Sequence, residues 1–106
     1  MSNYRVDRQK WAKMTIFEQM GNIYSEVGRS FTAKKQGDEE RSNQASYRAI
    51  DLFDATVDVL IISNPHRAKE VLRSKDQYLS ALHSNNKDDM QPIDNYFLQY
   101  AIVARR

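Results

Sequence analysis

Apolar residues recur along most of the chain at spacings of three and four positions, the period of an amphipathic α-helix. The first such stretch begins after Thr15, which has the sequence of a capping box with Glu18, and it fades near Lys35. Gly37 follows as the residue expected to end this helix, because glycine readily adopts the left-handed conformation of a C-terminal cap. The buried stripe of this helix is predicted to contain Ile16, Met20, Ile23, Val27 and Phe31.

Three further helices are predicted from the same periodicity. They cover residues 38–42 to about 62, residue 65 to about 83, and the chain from about residue 92 onward. The break between the first two of these is marked by Asn64, a suitable N-cap, and by Pro65, which is favoured at the first helical position. The predicted core is Ile16, Met20, Ile23, Val27, Leu52, Phe53, Leu60, Val71, Leu72, Leu79 and Phe97.

Four amphipathic helices with short connections predict an all-α fold, and the economical arrangement is an antiparallel up-down four-helix bundle. Residues 1–13 are expected to be a polar, basic lead-in, and residues 14–106 the single domain that 106 residues support. Gly21, Ser25 and Gly28 lower the helix propensity of the first predicted helix. We therefore expect another helix to approach them closely.

Composition argues against several functional classes. The chain is 41% hydrophobic and 28% charged, which is typical of a soluble globular protein. Its apolar runs, such as Val59–Ile62, are far shorter than a membrane span. The first 13 residues lack the apolar core of a signal peptide, so a cytoplasmic location is expected. The absence of cysteine excludes disulfides, a thiol nucleophile and cysteine-ligated metals.

No motif in the sequence indicates catalysis, a cofactor or a required metal. Three glycines cannot supply a phosphate-binding loop, and neither histidine has the spacing of a metal ligand or a catalytic base. Asp51, Asp54 and Asp58 share one face of the second predicted helix and are the best candidates for binding a divalent cation. We expect them instead to form a solvated acidic edge or to pair with Arg29 and Arg48, and we predict that the protein is not an enzyme.

The net charge of +2 is unevenly distributed. Cations concentrate in the lead-in, the third predicted helix and the C-terminus, whereas carboxylates concentrate in residues 38–40, 51–58 and 88–89. We therefore expect a polarised molecule whose basic side binds nucleic-acid phosphates. Tyr4 and Trp11 lie within the basic lead-in and can stack on bases. The predicted nucleic-acid-binding residues are Arg5, Arg8, Lys10, Lys13, Arg67, Lys69, Arg73, Lys75, Arg105 and Arg106.

Several segments resemble a small all-helical family, the accessory variability proteins of diversity-generating retroelements. Residues 11–23 and 25–29 resemble the opening helix of that family, residues 47–56 its second helix, and residues 96–97 with 101–105 its closing segment. The resemblance implies a non-catalytic subunit that oligomerises and binds a reverse transcriptase and its template RNA. The chain departs from the family in being less basic and in having Val103 where a second alanine is usual.

Two other classes remain open. HEPN ribonucleases are also small helical bundles, but their active site needs an arginine five to seven residues before a histidine. Here the nearest arginines before His66 and His83 are Arg48 and Arg73, so only a degenerate, adaptor or antitoxin-like relative fits. The other class is a purely structural protein–protein adaptor.

Self-association is predicted from the aromatic residues. Trp11, Tyr47 and Tyr96 exceed what the interior of a small bundle needs. Exposed apolar surface on a soluble protein commonly marks an interface, and a cyclic homo-oligomer is the commonest way to close one.

Overall fold

The computed structural model describes residues 5–84 and 86–104. These residues form five α-helices and one turn of 3-10 helix, and no strand occurs among them. The helices are α1 (Arg8–Ala12), α2 (Ile16–Lys35), α3 (Glu39–Ser63), α4 (Pro65–Leu82) and α5 (Met90–Ala104), with the 3-10 turn at Lys87–Asp89. The predicted all-α class is confirmed.

Local capping interactions explain where the long helices begin. The Thr15 hydroxyl accepts a hydrogen bond from the Glu18 backbone N–H at 3.1 Å, and the Glu18 carboxylate accepts one from the Thr15 N–H at 2.9 Å. This capping box satisfies two amides that the first turn of α2 would leave free. Asp38 caps α3, and Asn64 caps α4 with Pro65 at its first position.

The turn between α2 and α3 depends on a glycine. Gly37 has a φ of 77°, a conformation that costs an L-residue about 1–2 kcal/mol. Its N–H donates to the Lys34 carbonyl at 3.1 Å, and the Asp38 N–H donates to the Ala33 carbonyl at 2.9 Å. These two bonds are those of a Schellman motif, which ends the helix at the predicted place.

The lead-in contains a short helix that hydrophobic periodicity did not predict. Asp7 caps α1 through its carboxylate, which accepts hydrogen bonds from two backbone N–H groups. Trp11 is 4% exposed, and its indole N–H donates to the Thr56 hydroxyl at 2.9 Å. Gln19 in turn donates to the Trp11 carbonyl at 2.9 Å. The prediction that Trp11 stacks on bases is therefore wrong, because the ring is part of the core.

The four long helices pack as a ring, each in contact with two neighbours. Helix α2 lies against α3 and α5, α3 against α4, and α4 against α5, while α1 lies on α3. The centre is aromatic, with Phe53 between Tyr78 and Phe97 at ring-centroid distances of 5.9 and 5.7 Å, the first pair tilted and the second edge-to-face. The Tyr78 hydroxyl is satisfied by Ser30, whose Oγ lies 2.7 Å away.

The predicted core is confirmed except at its edges. Leu72 was expected to be buried but is 41% exposed. It lies about 100° around α4 from Val71, and Val71 and Tyr78 occupy the side that faces the core. Ile16 and Leu79 are half-buried and pack against the margin of the core.

No helix among the described residues is long and apolar enough to cross a membrane.

Candidate nucleic-acid interface

Eight of the ten predicted phosphate-contacting residues lie in the described part of the chain. Arg105, Arg106 and the predicted base-stacking Tyr4 lie outside it. The lead-in cations Arg5, Arg8, Lys10 and Lys13 are exposed. On α4, Lys69 and Arg73 are exposed, whereas Arg67 and Lys75 are half-buried.

The four cations of α4 do not share one face. Lys69 and Arg73 are four residues apart and lie together on the exposed side of the helix. Lys75 faces α3, where its ammonium donates to the Asp54 carboxylate at 2.9 Å. Arg67 is half-buried, and burial raises the pKa of Tyr96 on α5 despite the opposing charge of this arginine. Lys69 and Arg73 are therefore the outward-facing pair of this helix.

Arg8 is used to attach the lead-in to α3. Its guanidinium donates to the Asp51 carboxylate and to the Asp51 backbone carbonyl, each at 3.0 Å. The second oxygen of the same carboxylate accepts the Val6 backbone N–H at 2.7 Å. The Asp51 side chain is only 12% exposed, so this pairing is partly shielded from solvent. These contacts hold α1 and its cations in place.

The acidic row of α3 is not on the side opposite the basic residues. Asp51 pairs with Arg8 and Asp54 pairs with Lys75, so this row lies between the lead-in and α4. The predicted separation of charge is therefore wrong at this surface. Asp58 is exposed, and the described residues contain no group of three acids or histidines able to hold a metal ion.

Among the described residues, most cations of the predicted nucleic-acid-binding set have no carboxylate partner, whereas most of the other cations have one. Of the eight described cations in the predicted set, six have no described carboxylate within 4.0 Å, and only Arg8 and Lys75 are paired. Among the six other described cations, only Lys35 and Lys87 are unpaired. Unpaired positive charge is thus concentrated in the lead-in and α4, where a phosphate would not have to displace a described carboxylate.

The aromatic residues behind the predicted self-association have different environments. Trp11 is buried, and Tyr96 is half-buried with its hydroxyl 3.3 Å from that of Tyr100. Burial, followed by this neighbouring phenol, raises the pKa of Tyr96. Only Tyr47 of the three is clearly exposed, at 54%. His66 and His83 are exposed at opposite ends of α4.

Sequence reasoning missed a second concentration of cations. A cleft of about 590 Å³ is lined by residues of α2, α3 and α5, including Arg29, Lys35, Arg41 and Arg48. Arg29 and Arg48 both pair with Glu26, at 2.7 and 3.0 Å, and not with the acidic row of α3 as expected. The sequence signal for this cleft is the set of small residues on α2, Gly21, Ser25 and Gly28, which we interpret above as the site of a helix contact.

That helix contact is absent at Gly28. An added Cβ there would meet no heavy atom of the described residues within 4 Å, and the residue lines the cleft. The prediction of a close approach is therefore wrong at this position, because the small residue adjoins open space.

Comparisons of the chain with protein-family models, with curated proteins and with solved structures found no match.

Proposed function

We propose that this protein is a non-catalytic accessory subunit that contacts RNA phosphates within a complex formed with a reverse transcriptase or another nucleic-acid enzyme. The observation that carries the proposal is the concentration of unpaired cations in the lead-in and α4. The resemblance of several segments to retroelement accessory proteins supports the identity of the partner. A cytoplasmic setting and an up-down arrangement of the four long helices belong to the same proposal.

The lead-in is suited to presenting charge because it is anchored. The Arg8–Asp51 pair and the Trp11–Thr56 hydrogen bond attach α1 to α3 at two points. Lys10 is therefore held on a fixed element, so less conformational entropy is lost when it binds a phosphate. The same argument applies to Lys69 and Arg73 on α4.

The number of contacts predicts modest affinity. Five cations of the predicted set are exposed and have no described carboxylate partner, which allows about five phosphate contacts: Arg5, Lys10, Lys13, Lys69 and Arg73. A surface of this kind binds RNA weakly and with little sequence preference when it acts alone. Binding together with an enzyme that already holds the RNA raises the effective concentration and makes such contacts useful.

Charge reversal tests the proposal. Lys69→Glu combined with Arg73→Glu is expected to weaken binding to a single-stranded RNA about tenfold at low salt, because two phosphate contacts become repulsive. The matched control reverses Lys35 and Lys87, the two unpaired cations outside the predicted set, and makes the same change in net charge. The control should bind within about twofold of the wild type, and both variants should melt near the wild-type temperature. Equal losses in both variants would reduce the effect to net charge alone and reject the interface.

Affinity purification from native cells tests the partner. Recovery of a reverse transcriptase supports the accessory role. Recovery of a toxin without nucleic acid would favour the antitoxin-like alternative, and the RNA-dependent proposal would then be abandoned.

A second candidate function is a protein–protein adaptor that self-associates. Large apolar side chains are exposed near the start of α2 and the end of α5, where Phe17 lies beside Tyr100 at a ring-centroid distance of 6.0 Å. Phe17 is 39% exposed and Ile102 is 47% exposed. Light scattering at micromolar concentrations should give a mass above 12.4 kDa, reduced to that value by Phe17→Ser with Ile102→Ser. A monomeric wild type would reject this candidate.

A further inference from the structure

The cleft between α2 and α3 has the lining of an anion site. Arg29 and Lys35 reach it from α2, and Arg41 and Arg48 reach it from α3. Among the described residues that line the cleft, Asp94 of α5 is the only one with a carboxylate. Thr32, Gln36 and Gln44 add uncharged polar groups. Four positive side chains thus face one negative side chain across a polar cleft.

Glu26 positions two of these cations. One of its carboxylate oxygens accepts from Arg29 Nη1 at 2.7 Å, and the other accepts from Arg48 Nε at 3.0 Å. The Glu26 side chain is only 12% exposed, which favours a fixed geometry for both pairs. A guanidinium carries five N–H donors, so a bond through one nitrogen leaves donors on each arginine for a ligand.

The cleft keeps a net positive charge after Arg29 and Arg48 have paired with Glu26. Glu26 carries one charge and is shared by two arginines, so it neutralises only one of them. Lys35 has no described carboxylate within 4.0 Å. Arg41 approaches Asp38 only at 4.0 Å, and its side chain is 76% exposed, which makes that pair weak.

The size of the cleft fits a small molecule. A volume of about 590 Å³ lies within the range of small-ligand sites. Gly28 contributes to this space, because a side chain at its position would project into a region free of described atoms within 4 Å. Glycine inside a helix is destabilising relative to alanine, and no contact made in the described structure requires it here.

We propose that this cleft binds a small polyanion that carries two or three linked phosphate groups. Arg48 and Arg29, oriented by Glu26, bind one phosphate. Lys35 and Arg41, which flank the α2–α3 connection, bind the next phosphate. The site is separate from the proposed RNA surface, since none of its four cations belongs to the lead-in or to α4.

Calorimetric titration tests the site with three probes: inorganic phosphate, pyrophosphate and adenosine triphosphate without magnesium. Pyrophosphate should bind at one site per chain and at least tenfold more tightly than phosphate, because its higher charge and second phosphate allow contacts with more of the four cations. Equal affinities for pyrophosphate and adenosine triphosphate show that two linked phosphates are sufficient, whereas tighter binding of the nucleotide shows that its third phosphate or its nucleoside adds contacts. Equal affinities for phosphate and pyrophosphate would overturn the proposal.

Three variants distinguish binding in the cleft from a general effect of the protein's net charge. Lys35→Gln with Arg41→Gln should weaken pyrophosphate binding at least tenfold, because it removes two of the four cations that line the cleft. Both side chains are exposed, so their replacement leaves the core intact. Lys69→Gln with Arg73→Gln removes the same charge from α4 and should change the affinity less than twofold. Gly28→Leu places a side chain in the cleft, at a position where an added Cβ meets no described atom within 4 Å, and should also abolish binding while the melting temperature does not fall. Binding that survives both cleft variants would refute the site, and the RNA proposal is unaffected by either result.

Discussion

Replacing Gly28 by alanine should stabilise the protein. Gly28 lies in the interior of α2, and an added Cβ meets no described heavy atom within 4 Å. Alanine restricts the unfolded chain more than glycine and is the better helix former. The expected gain in unfolding free energy is about 0.8 kcal/mol, since no steric cost opposes it.

The size of the gain makes it measurable. Unfolding entropies near 2.1 cal/mol/K per residue give roughly 0.22 kcal/mol/K for a chain of this length. A stabilisation of about 0.8 kcal/mol therefore raises the melting temperature by about 4 °C. Thermal unfolding followed by circular dichroism resolves such a shift, and urea unfolding gives the free energy independently.

Gly37→Ala is the matched control, because the surroundings are equally open and the backbone differs. An added Cβ at Gly37 also meets no described atom within 4 Å, but the φ of 77° is unfavourable for alanine. This variant should lose about 1 kcal/mol net of the gain from restricting the unfolded chain. A destabilised Gly28→Ala protein, or two variants that shift in the same direction, would show that the space at Gly28 is not open and would refute the reasoning.

Three further predictions concern the core and the anchor of the lead-in. Thr56→Val leaves the Trp11 indole N–H without its acceptor and should cost about 1–3 kcal/mol in urea unfolding monitored by tryptophan fluorescence; a loss below 0.5 kcal/mol would contradict the buried bond. Burial raises the pKa of Tyr78 above its usual value of 10.0, so stability should fall as the pH rises above about 10, where the unfolded tyrosine ionises first; Tyr78→Phe should flatten this fall in urea midpoints, and an unchanged slope would refute it. Asp51→Asn removes the carboxylate that pairs with Arg8 and should lower stability by about 1 kcal/mol in urea unfolding; an unchanged urea midpoint would contradict the partly shielded pair.

The helix ends were predictable because their signals are local. The capping box at Thr15, the left-handed Gly37 and the Asn64-Pro65 restart each involve residues close together in sequence. Their chemistry therefore decides the backbone before tertiary contacts form. The start of α5 at Met90 was missed by two residues, since the 3-10 turn before it leads directly into the helix.

The burial of Trp11 was not predictable from periodicity. Helix α1 has five residues, too few to show a hydrophobic stripe, and its stability comes from contacts with α3. The acceptor of the indole, Thr56, is 45 residues away. Such a pairing depends on how the elements pack, which the spacing of apolar residues does not specify.

The candidate interface was predictable as a set of cations but not as a surface. Charge counting identifies Arg8 and Lys75 as readily as Lys69 and Arg73. Only tertiary structure shows which of these cations a carboxylate of α3 already neutralises. The cleft was missed for a related reason, because its arginines come from two helices and are oriented by Glu26.

The salt dependence of RNA binding tests the central claim most directly. With about five phosphate contacts to single-stranded RNA, the logarithm of the binding constant should fall against the logarithm of salt concentration with a slope of about −3.5. Lys69→Glu with Arg73→Glu removes two contacts and should reduce the slope to about −2.1. Fluorescence anisotropy between 25 and 200 mM salt, a range of roughly one decade, measures both slopes. A wild-type slope near zero, or the same slope in both proteins, would contradict the account.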